Sequence, residues 1–200
     1  MSDARCKACG WILEELREHH PDAIVCRQCA LLQPWEWWQE KRVALVGCGA
    51  EKADERRPAG DLYTSSYFDQ KRRYARLACD EWAVLSAEWG VIGPECPIDP
   101  YDTTMSDHSP EERREWLESV EISVRSDVAG MTPKSELVIL AGRSYVEPLS
   151  EFLETLPVQV RDPFAKTSGI GEQRAWLSDE IERHSPTKQT GLGAFAGGSP

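Results

Sequence analysis

Short apolar runs alternate with amphipathic segments between residues 42 and 183, and this alternation constrains the fold more than any other feature of the sequence. The apolar runs predict strands at residues 42–46, 82–86, 137–140 and 158–160. The remaining segments predict helices, among them residues 67–79, a long helix that begins after Ser109, and residues 172–183. Strands that alternate with helices favour a mainly parallel sheet covered on both faces. We therefore predict an α/β fold with a three-layer, Rossmann-like sheet of at least four mainly parallel strands.

Two Cys-x-x-Cys pairs lie near the N-terminus, in MSDARCKACG and AIVCRQCA, and 16 residues separate them. This spacing is typical of four-cysteine zinc sites, in which each pair turns two sulfurs toward one ion. Four thiolates complete a tetrahedral shell, so the zinc is predicted to be structural, without an open position for catalysis. Two redox-type pairs, or buried thiols, are the alternative. The predicted zinc ligands are Cys6, Cys9, Cys26 and Cys29.

The composition divides the chain into three parts. Residues 1–38 hold the predicted zinc ribbon and a tryptophan-rich junction that contains Trp35, Trp37 and Trp38. Residues 39–184 carry the predicted α/β domain. Residues 185–200, SPTKQTGLGAFAGGSP, have too little apolar content to fold and are predicted to be a disordered tail.

The formal net charge of −11 limits the range of partners. It disfavours a general electrostatic coat for nucleic acid, and no apolar run approaches the roughly 20 residues that a membrane-spanning helix needs. The first residues lack the charged-then-apolar layout of a secretory signal. We therefore expect a cytoplasmic protein whose thiols stay reduced. No feature of the sequence identifies a protein partner.

Small and polar residues follow the predicted strands at the same end. In open α/β sheets, ligands bind beyond the carboxyl ends of the strands. The glycines let the backbone turn and approach a ligand, and Lys52 supplies positive charge for an anion. The pattern is neither a Walker loop nor a GxGxxG fingerprint, so it does not predict ATP or a dinucleotide. The residues singled out by position are Gly47, Cys48, Gly49, Lys52, Ser86, Gly90, Gly142 and Arg143.

Cys48 and the basic run KRRYAR at residues 71–76 each have more than one interpretation. Cys48 is a small buried residue, an unreactive wall of a site, or a nucleophile. A nucleophilic cysteine needs a nearby cation or base, and Lys52 is only its neighbour in sequence. The basic run is either a solvated helix face or one wall of a phosphate-binding groove.

The chain also contains, in this order, LVGCGAEK, AGDLYTSSYF, WAVLSAEWGVIGPE, PYD and YVEPLSEFL with GIGEQRAWL. This combination resembles a widespread domain of unknown function in bacteria, archaea and phages, and the resemblance covers residues 42–183. The domain is distantly similar to YaaA-type peroxide-stress proteins and to lyase or synthase domains of archaeosine biosynthesis. That similarity implies a nucleic-acid or nucleobase context. Many members carry a basic residue within LSA-x-x-G, where this chain has Glu88 and Trp89.

The resemblance assigns possible roles to several side chains. It implies that Ser65 and Ser86 donate hydrogen bonds to a base or phosphate, and that Asp102 acts as a base or holds a ribose hydroxyl. The alternative is that LYTS caps a helix and PYD makes a turn. The residues that the resemblance marks as functional candidates are Cys48, Lys52, Tyr63, Ser65, Ser86, Gly90, Tyr101 and Asp102.

The leading hypothesis is an α/β domain that binds a nucleotide, nucleoside or nucleic-acid base at the strand ends and carries a zinc ribbon. Whether it is an enzyme of nucleic-acid or nucleoside modification is left open by the sequence; the predicted catalytic residues are Cys48, Lys52 and Asp102. The alternatives are a non-catalytic adaptor, whose ribbon and junction bind protein or nucleic acid, and a thiol-dependent redox or stress factor. The predicted ligand-binding residues are Gly47, Gly49, Tyr63, Ser65, Ser86, Gly90, Tyr101, Gly142 and Arg143.

Overall fold

A five-stranded sheet forms the centre of the protein in the computed structural model, which describes residues 40–185. The strands within this range are β1 (Arg42–Gly47), β2 (Arg57–Pro58), β3 (Glu81–Ser86), β4 (Gly90–Ile92), β5 (Pro97–Ile98), β6 (Glu136–Leu140) and β7 (Gln159–Arg161). The order in the main sheet is β4-β3-β1-β6-β7, and every neighbouring pair is parallel except β3 with β4. The mainly parallel α/β sheet predicted from the sequence is confirmed.

Different helices cover the two faces of this sheet. The helices of the described residues are α1 (Ala59–Leu62), α2 (Ser66–Ala78), α3 (Pro110–Val128), α4 (Arg143–Glu154) and α5 (Ile170–His184). Along β1, Val43 and Leu45 belong to the apolar cluster that includes α3 and α4, whereas Ala44 and Val46 belong to the cluster that includes α2 and α5. Successive side chains of a strand point to opposite faces, so a strand buried on both faces needs a continuous apolar run. The sequence of β1 meets this requirement.

The start of α3 follows from its sequence. The Ser109 hydroxyl accepts a hydrogen bond from the Glu112 backbone N–H at 3.3 Å, and the Ser109 N–H donates to the Glu112 carboxylate at 2.8 Å. Such caps stabilise a helix by about 1 kcal/mol. The helix then buries Trp116, Val120 and Val124 against the sheet.

Four short elements were not predicted from the sequence. Strand β4 returns antiparallel beside β3, and β2 pairs antiparallel with β5 in a separate two-stranded ribbon. Helix α1 follows β2 and is only four residues long. Elements of two to four residues are too short to display a hydrophobic period, so pattern analysis does not detect them.

The order of the strands places a topological switch point at the carboxyl ends of β1 and β6. The chain passes from β1 through α2 to β3 on one side, and then returns through α3 to β6 on the other side of β1. The two strand ends lie very close together, because a Cβ atom added at Gly47 would stand 3.0 Å from the Ala141 Cα atom. Ligands of open α/β sheets bind at such a position.

Some expectations lie outside the described range. These are the zinc ribbon and junction of residues 1–38 and nearly all of the predicted tail. Within residues 40–185, no helix is long and apolar enough to cross a membrane.

Candidate functional site

Cys48 directly follows β1 and contacts both the end of β3 and the helix that follows β6. Its backbone N–H donates to the Leu85 carbonyl at 2.9 Å, which fixes the residue beyond β1 against the end of β3. Its sulfur lies 3.1 Å from the Tyr145 hydroxyl, in the first turn of α4 after β6. The Tyr145 ring packs edge-on against Trp116 with 5.9 Å between ring centroids. The cysteine is half-buried and forms no disulfide within the described residues.

A chain of three hydroxyl groups lies beside Cys48. The Ser86 hydroxyl, at the end of β3, is 2.8 Å from the Tyr101 hydroxyl, which in turn is 2.7 Å from the Tyr63 hydroxyl. The Ser86 oxygen also accepts the backbone N–H groups of Glu88 and Trp89 at 3.1 Å and 3.0 Å. Since these two bonds use the acceptor capacity of Ser86, its own proton is available for Tyr101. Ser86 therefore donates to Tyr101, and the Tyr101 hydroxyl donates in turn to Tyr63 in the segment before α2.

The Lys52 ammonium lies over the aromatic rings of this chain of hydroxyls. Its ammonium nitrogen stands 4.3 Å from the centroid of the Tyr101 ring, a cation–π distance. An isolated antiparallel bridge between Lys52 and Tyr63 holds the two segments together. Gly49 packs closely against the segment before α2, because an added Cβ atom would stand 3.3 Å from the Ser65 hydroxyl and 3.4 Å from the Tyr63 Cβ atom.

The phenols of the site are neutral at physiological pH. Burial raises the pKa of Tyr63 to about 12, and burial followed by the charge of Cys48 raises the pKa of Tyr101 and of Tyr145 further. A neutral phenol both donates and accepts a hydrogen bond. The site therefore offers several uncharged hydroxyl groups beside one thiol.

Lys71 is the main site residue that the sequence analysis missed. It lies in α2 with only 3% of its surface exposed, and its ammonium donates to the Gly47 carbonyl at 2.5 Å. Burial lowers the pKa of Lys71 to about 8, and the charge of Cys48 opposes that shift. The basic run KRRYAR is therefore divided: its first residue is buried beneath β1, whereas Arg73 and Arg76 are exposed and, with Arg72, line a groove beside α2.

The other predicted residues occupy more varied positions. The Ser65 hydroxyl caps α2 by accepting the Phe68 N–H at 3.3 Å. Gly90 has a φ of +65° at the start of β4, a conformation that favours glycine. Gly142 and Arg143 are exposed at the start of α4, beside Tyr145. Asp102 is exposed and makes no hydrogen bond to another residue of the described range, so it does not join the cluster.

An acidic groove with a volume of about 570 Å³ adjoins the end of β3. Glu88, Asp107, Glu112 and Glu115 lie along it, and Trp89 in its wall is 51% exposed. Glu88 accepts a hydrogen bond from the Thr103 hydroxyl. Because like charges repel, this side of the site is unsuited to a phosphate group.

The predicted metal site lies outside the described residues. Cys6, Cys9, Cys26 and Cys29 all precede residue 40, so the four-thiolate zinc site stays a prediction. Among residues 40–185, no group of three or more His, Cys, Asp or Glu side chains is arranged to hold a metal ion.

Comparison with known proteins defines the family. Residues 43–179 match a family of unknown function, DUF6884. The chain belongs to this family. The DUF6884 match contains every residue of the cluster described above, from Cys48 to Tyr145, and leaves the N-terminal cysteines outside. A relative is the uncharacterized protein YfjM of Bacillus subtilis, which is 28% identical over 149 residues, or 71% of this chain and 96% of YfjM.

Proposed function

We propose that this DUF6884 domain binds a nucleotide, nucleoside or nucleic-acid base at the carboxyl ends of β1, β3 and β6. The observation that supports the proposal is the convergence of Cys48, the Ser86–Tyr101–Tyr63 hydroxyl chain and Lys52 at one edge of the sheet. These side chains come from segments that are far apart in sequence. They meet where open α/β sheets bind their ligands.

The chemistry of the cluster suits a base better than a long nucleic-acid strand. Neutral hydroxyl groups donate and accept hydrogen bonds, which matches the mixed carbonyl, amine and ring-nitrogen groups on the edge of a base. The exposed Trp89 next to Ser86 provides a surface on which a base can stack. An extended strand would require many more cations than this acidic domain carries.

The positive charge that is open to a ligand lies on one side of the site. Lys52 and the exposed Arg143 are available to a phosphate, whereas the groove next to Glu88 is acidic. We therefore place the phosphate of a nucleotide toward Lys52 and the start of α4, and the base toward the tyrosines. The N-terminus of α4 adds favourable backbone dipoles for an anion on that side.

Calorimetric titration with a panel of nucleosides, nucleotides and short single strands tests the proposal. For the ligand that binds, Tyr101→Phe is expected to weaken binding by about tenfold, the effect of one lost hydrogen bond of about 1 to 1.5 kcal/mol. The matched control is Tyr74→Phe, whose buried hydroxyl has no hydrogen-bond partner among the described residues. Lys52→Ala is expected to weaken the binding of nucleotides more than that of nucleosides. Its control is Lys134→Ala, a substitution of an exposed lysine. Equal affinities for variants and controls would contradict the proposal.

Zinc binding by the N-terminal cysteines is part of the proposal. Cys6, Cys9, Cys26 and Cys29 have the number and spacing of a structural four-thiolate site. Such a site needs reduced thiols, consistent with the cytoplasmic location that we propose for the protein.

A further inference from the structure

Trp116 contacts both halves of the candidate site. It lies in α3, and only 6% of its surface is exposed. Its indole N–H donates a hydrogen bond to the Ser86 backbone carbonyl at 2.8 Å. The same ring system packs edge-on against Tyr145, whose hydroxyl lies 3.1 Å from the Cys48 sulfur. One buried side chain therefore touches the end of β3 and the first turn of α4, which follows β6.

Ser86 is held through its backbone as well as its side chain. Its hydroxyl accepts the N–H groups of Glu88 and Trp89 and lies 2.8 Å from the Tyr101 hydroxyl. Its carbonyl accepts the indole N–H of Trp116, a group that can only donate. A phenylalanine in place of Trp116 would pack there but would leave this buried carbonyl without its donor. The orientation of Ser86 therefore depends on α3 as well as on β3.

The contacts of Trp116 close a ring around the switch point. The Cys48 backbone N–H donates to the carbonyl of Leu85, the residue before Ser86. Trp116 connects Ser86 to Tyr145, and the Tyr145 hydroxyl returns to the Cys48 sulfur. Side chains whose orientation is fixed before a ligand arrives lose less conformational entropy when it binds. A ring of this kind fixes the groups that face the ligand.

We propose that Trp116 is a positioning residue of the ligand site, which orients Ser86 and Tyr145 for the bound ligand. The role of the ligand rests on the proposed function, whereas the hold of Trp116 on the turn after β3 is testable without any ligand. Trp116 acts through its two neighbours and not through a contact of its own with the ligand.

Amide hydrogen exchange of the full chain, followed by NMR, tests the positioning role. Trp116→Phe keeps an aromatic ring beside Tyr145 but removes the donor to the Ser86 carbonyl. The amides of Glu88 and Trp89 report on this change because both donate to the Ser86 hydroxyl. Their exchange is expected to become at least about tenfold faster, since the turn is then held by one hydrogen bond fewer.

Two references separate this effect from a general loss of stability. The amide of Val138, in the buried strand β6, reports on the opening of the sheet as a whole. The matched variant is Trp176→Phe, because Trp176 packs against Tyr74 in the apolar cluster on the other face of the sheet. Trp176→Phe is expected to leave exchange in the turn after β3 unchanged. Equal acceleration at Val138 and in this turn of Trp116→Phe, or no acceleration in the turn, would overturn the proposal.

The wild-type protein gives a test that does not depend on how well Trp116→Phe folds. The indole proton of Trp116 is expected to exchange with water at least about tenfold more slowly than that of partly buried Trp176, because it is both buried and hydrogen-bonded. Equal rates for the two indole protons would overturn the proposal.

Calorimetric titration with the ligand found in the panel tests the link to binding. Trp116→Phe is expected to weaken binding by roughly threefold to tenfold. Combined with Tyr101→Phe, it is expected to weaken binding by less than the product of the two single effects, because both act through Ser86. Unchanged binding in Trp116→Phe, or a combined effect equal to that product, would overturn the proposal. Exchange can refute the role of Trp116 while ligand binding stands, and the exchange results hold even if no ligand of the panel binds, so the two proposals fail separately.

Discussion

Replacement of Lys71 by methionine tests whether burial lowers the pKa of this amine, because a lowered pKa makes the stability of the protein depend on pH. The usual pKa of lysine is 10.5, and burial lowers the pKa of Lys71 to about 8 in the folded protein. Below about pH 8 the ammonium is present in both the folded and the unfolded protein, and its burial destabilises the folded protein. Between about pH 8 and about pH 10.5 the unfolded chain still binds the proton and the folded protein does not, so this group makes the folded protein more stable as the pH rises. The full effect corresponds to roughly 3 kcal/mol of unfolding free energy.

Urea denaturation of wild type and Lys71→Met, followed by far-ultraviolet circular dichroism, measures this effect. Between about pH 7 and about pH 10 the unfolding free energy of wild type is expected to gain roughly 2 to 3 kcal/mol relative to the variant. Comparison of the two proteins cancels the tyrosines, since burial raises the pKa of Tyr63, Tyr67 and Tyr74 to about 12 in both. A constant difference across this range would refute the reasoning, because it would mean that Lys71 keeps an ordinary pKa when folded.

Three further predictions concern the site, the sheet and the zinc ribbon. Tyr101→Phe is expected to lower the unfolding free energy by about 1 to 2 kcal/mol, since two buried hydroxyl groups lose a partner, whereas Tyr74→Phe is expected to change it by less than about 0.5 kcal/mol in the same urea assay. Equal losses would contradict this. Gly47→Ala is expected to cost about 1 to 3 kcal/mol by thermal unfolding, because its methyl would meet the end of β6 at 3.0 Å; an unchanged midpoint would show that the strand ends separate easily. Cys9→Ser is expected to reduce the zinc content, measured by mass spectrometry, from about one ion per chain to near zero, whereas Cys96→Ser keeps it. Full zinc in Cys9→Ser would exclude the four-thiolate site.

The main sheet and its helices could be predicted because their signals are long or chemically specific. Residues 42–46 are continuously apolar, and β1 is buried on both faces as that pattern requires. The serine, proline and glutamate of the capping box set the start of α3. The position of the candidate site was predicted from the rule that ligands bind at the carboxyl ends of parallel strands.

The contacts within the site could not be predicted from local patterns. Tyr101 reaches Ser86 and Tyr63 from a loop after the β2–β5 ribbon, and elements of two residues have no periodicity. Tyr145 meets Cys48 because the strand order brings β6 beside β1, and one sequence does not specify that order.

Lys71 did leave a signal in the sequence. It lies three residues after Phe68 and three before Tyr74, so it falls on the apolar stripe of α2, and all three are buried. A lysine within such a stripe is expected either to be buried for a functional reason or to extend its ammonium group to solvent. The charges of Arg72 and Arg73 beside it made the run look uniformly solvated, which hid this position.

An amide NMR titration of the full chain with the tightest ligand of the panel tests the central claim most directly. The account predicts that the largest shifts fall together on residues 47–52, 86–90 and 142–145, which the fold brings to one edge of the sheet. Shifts confined to the opposite edge, near Lys134 and Glu136, or to the outer face of α3, would contradict it.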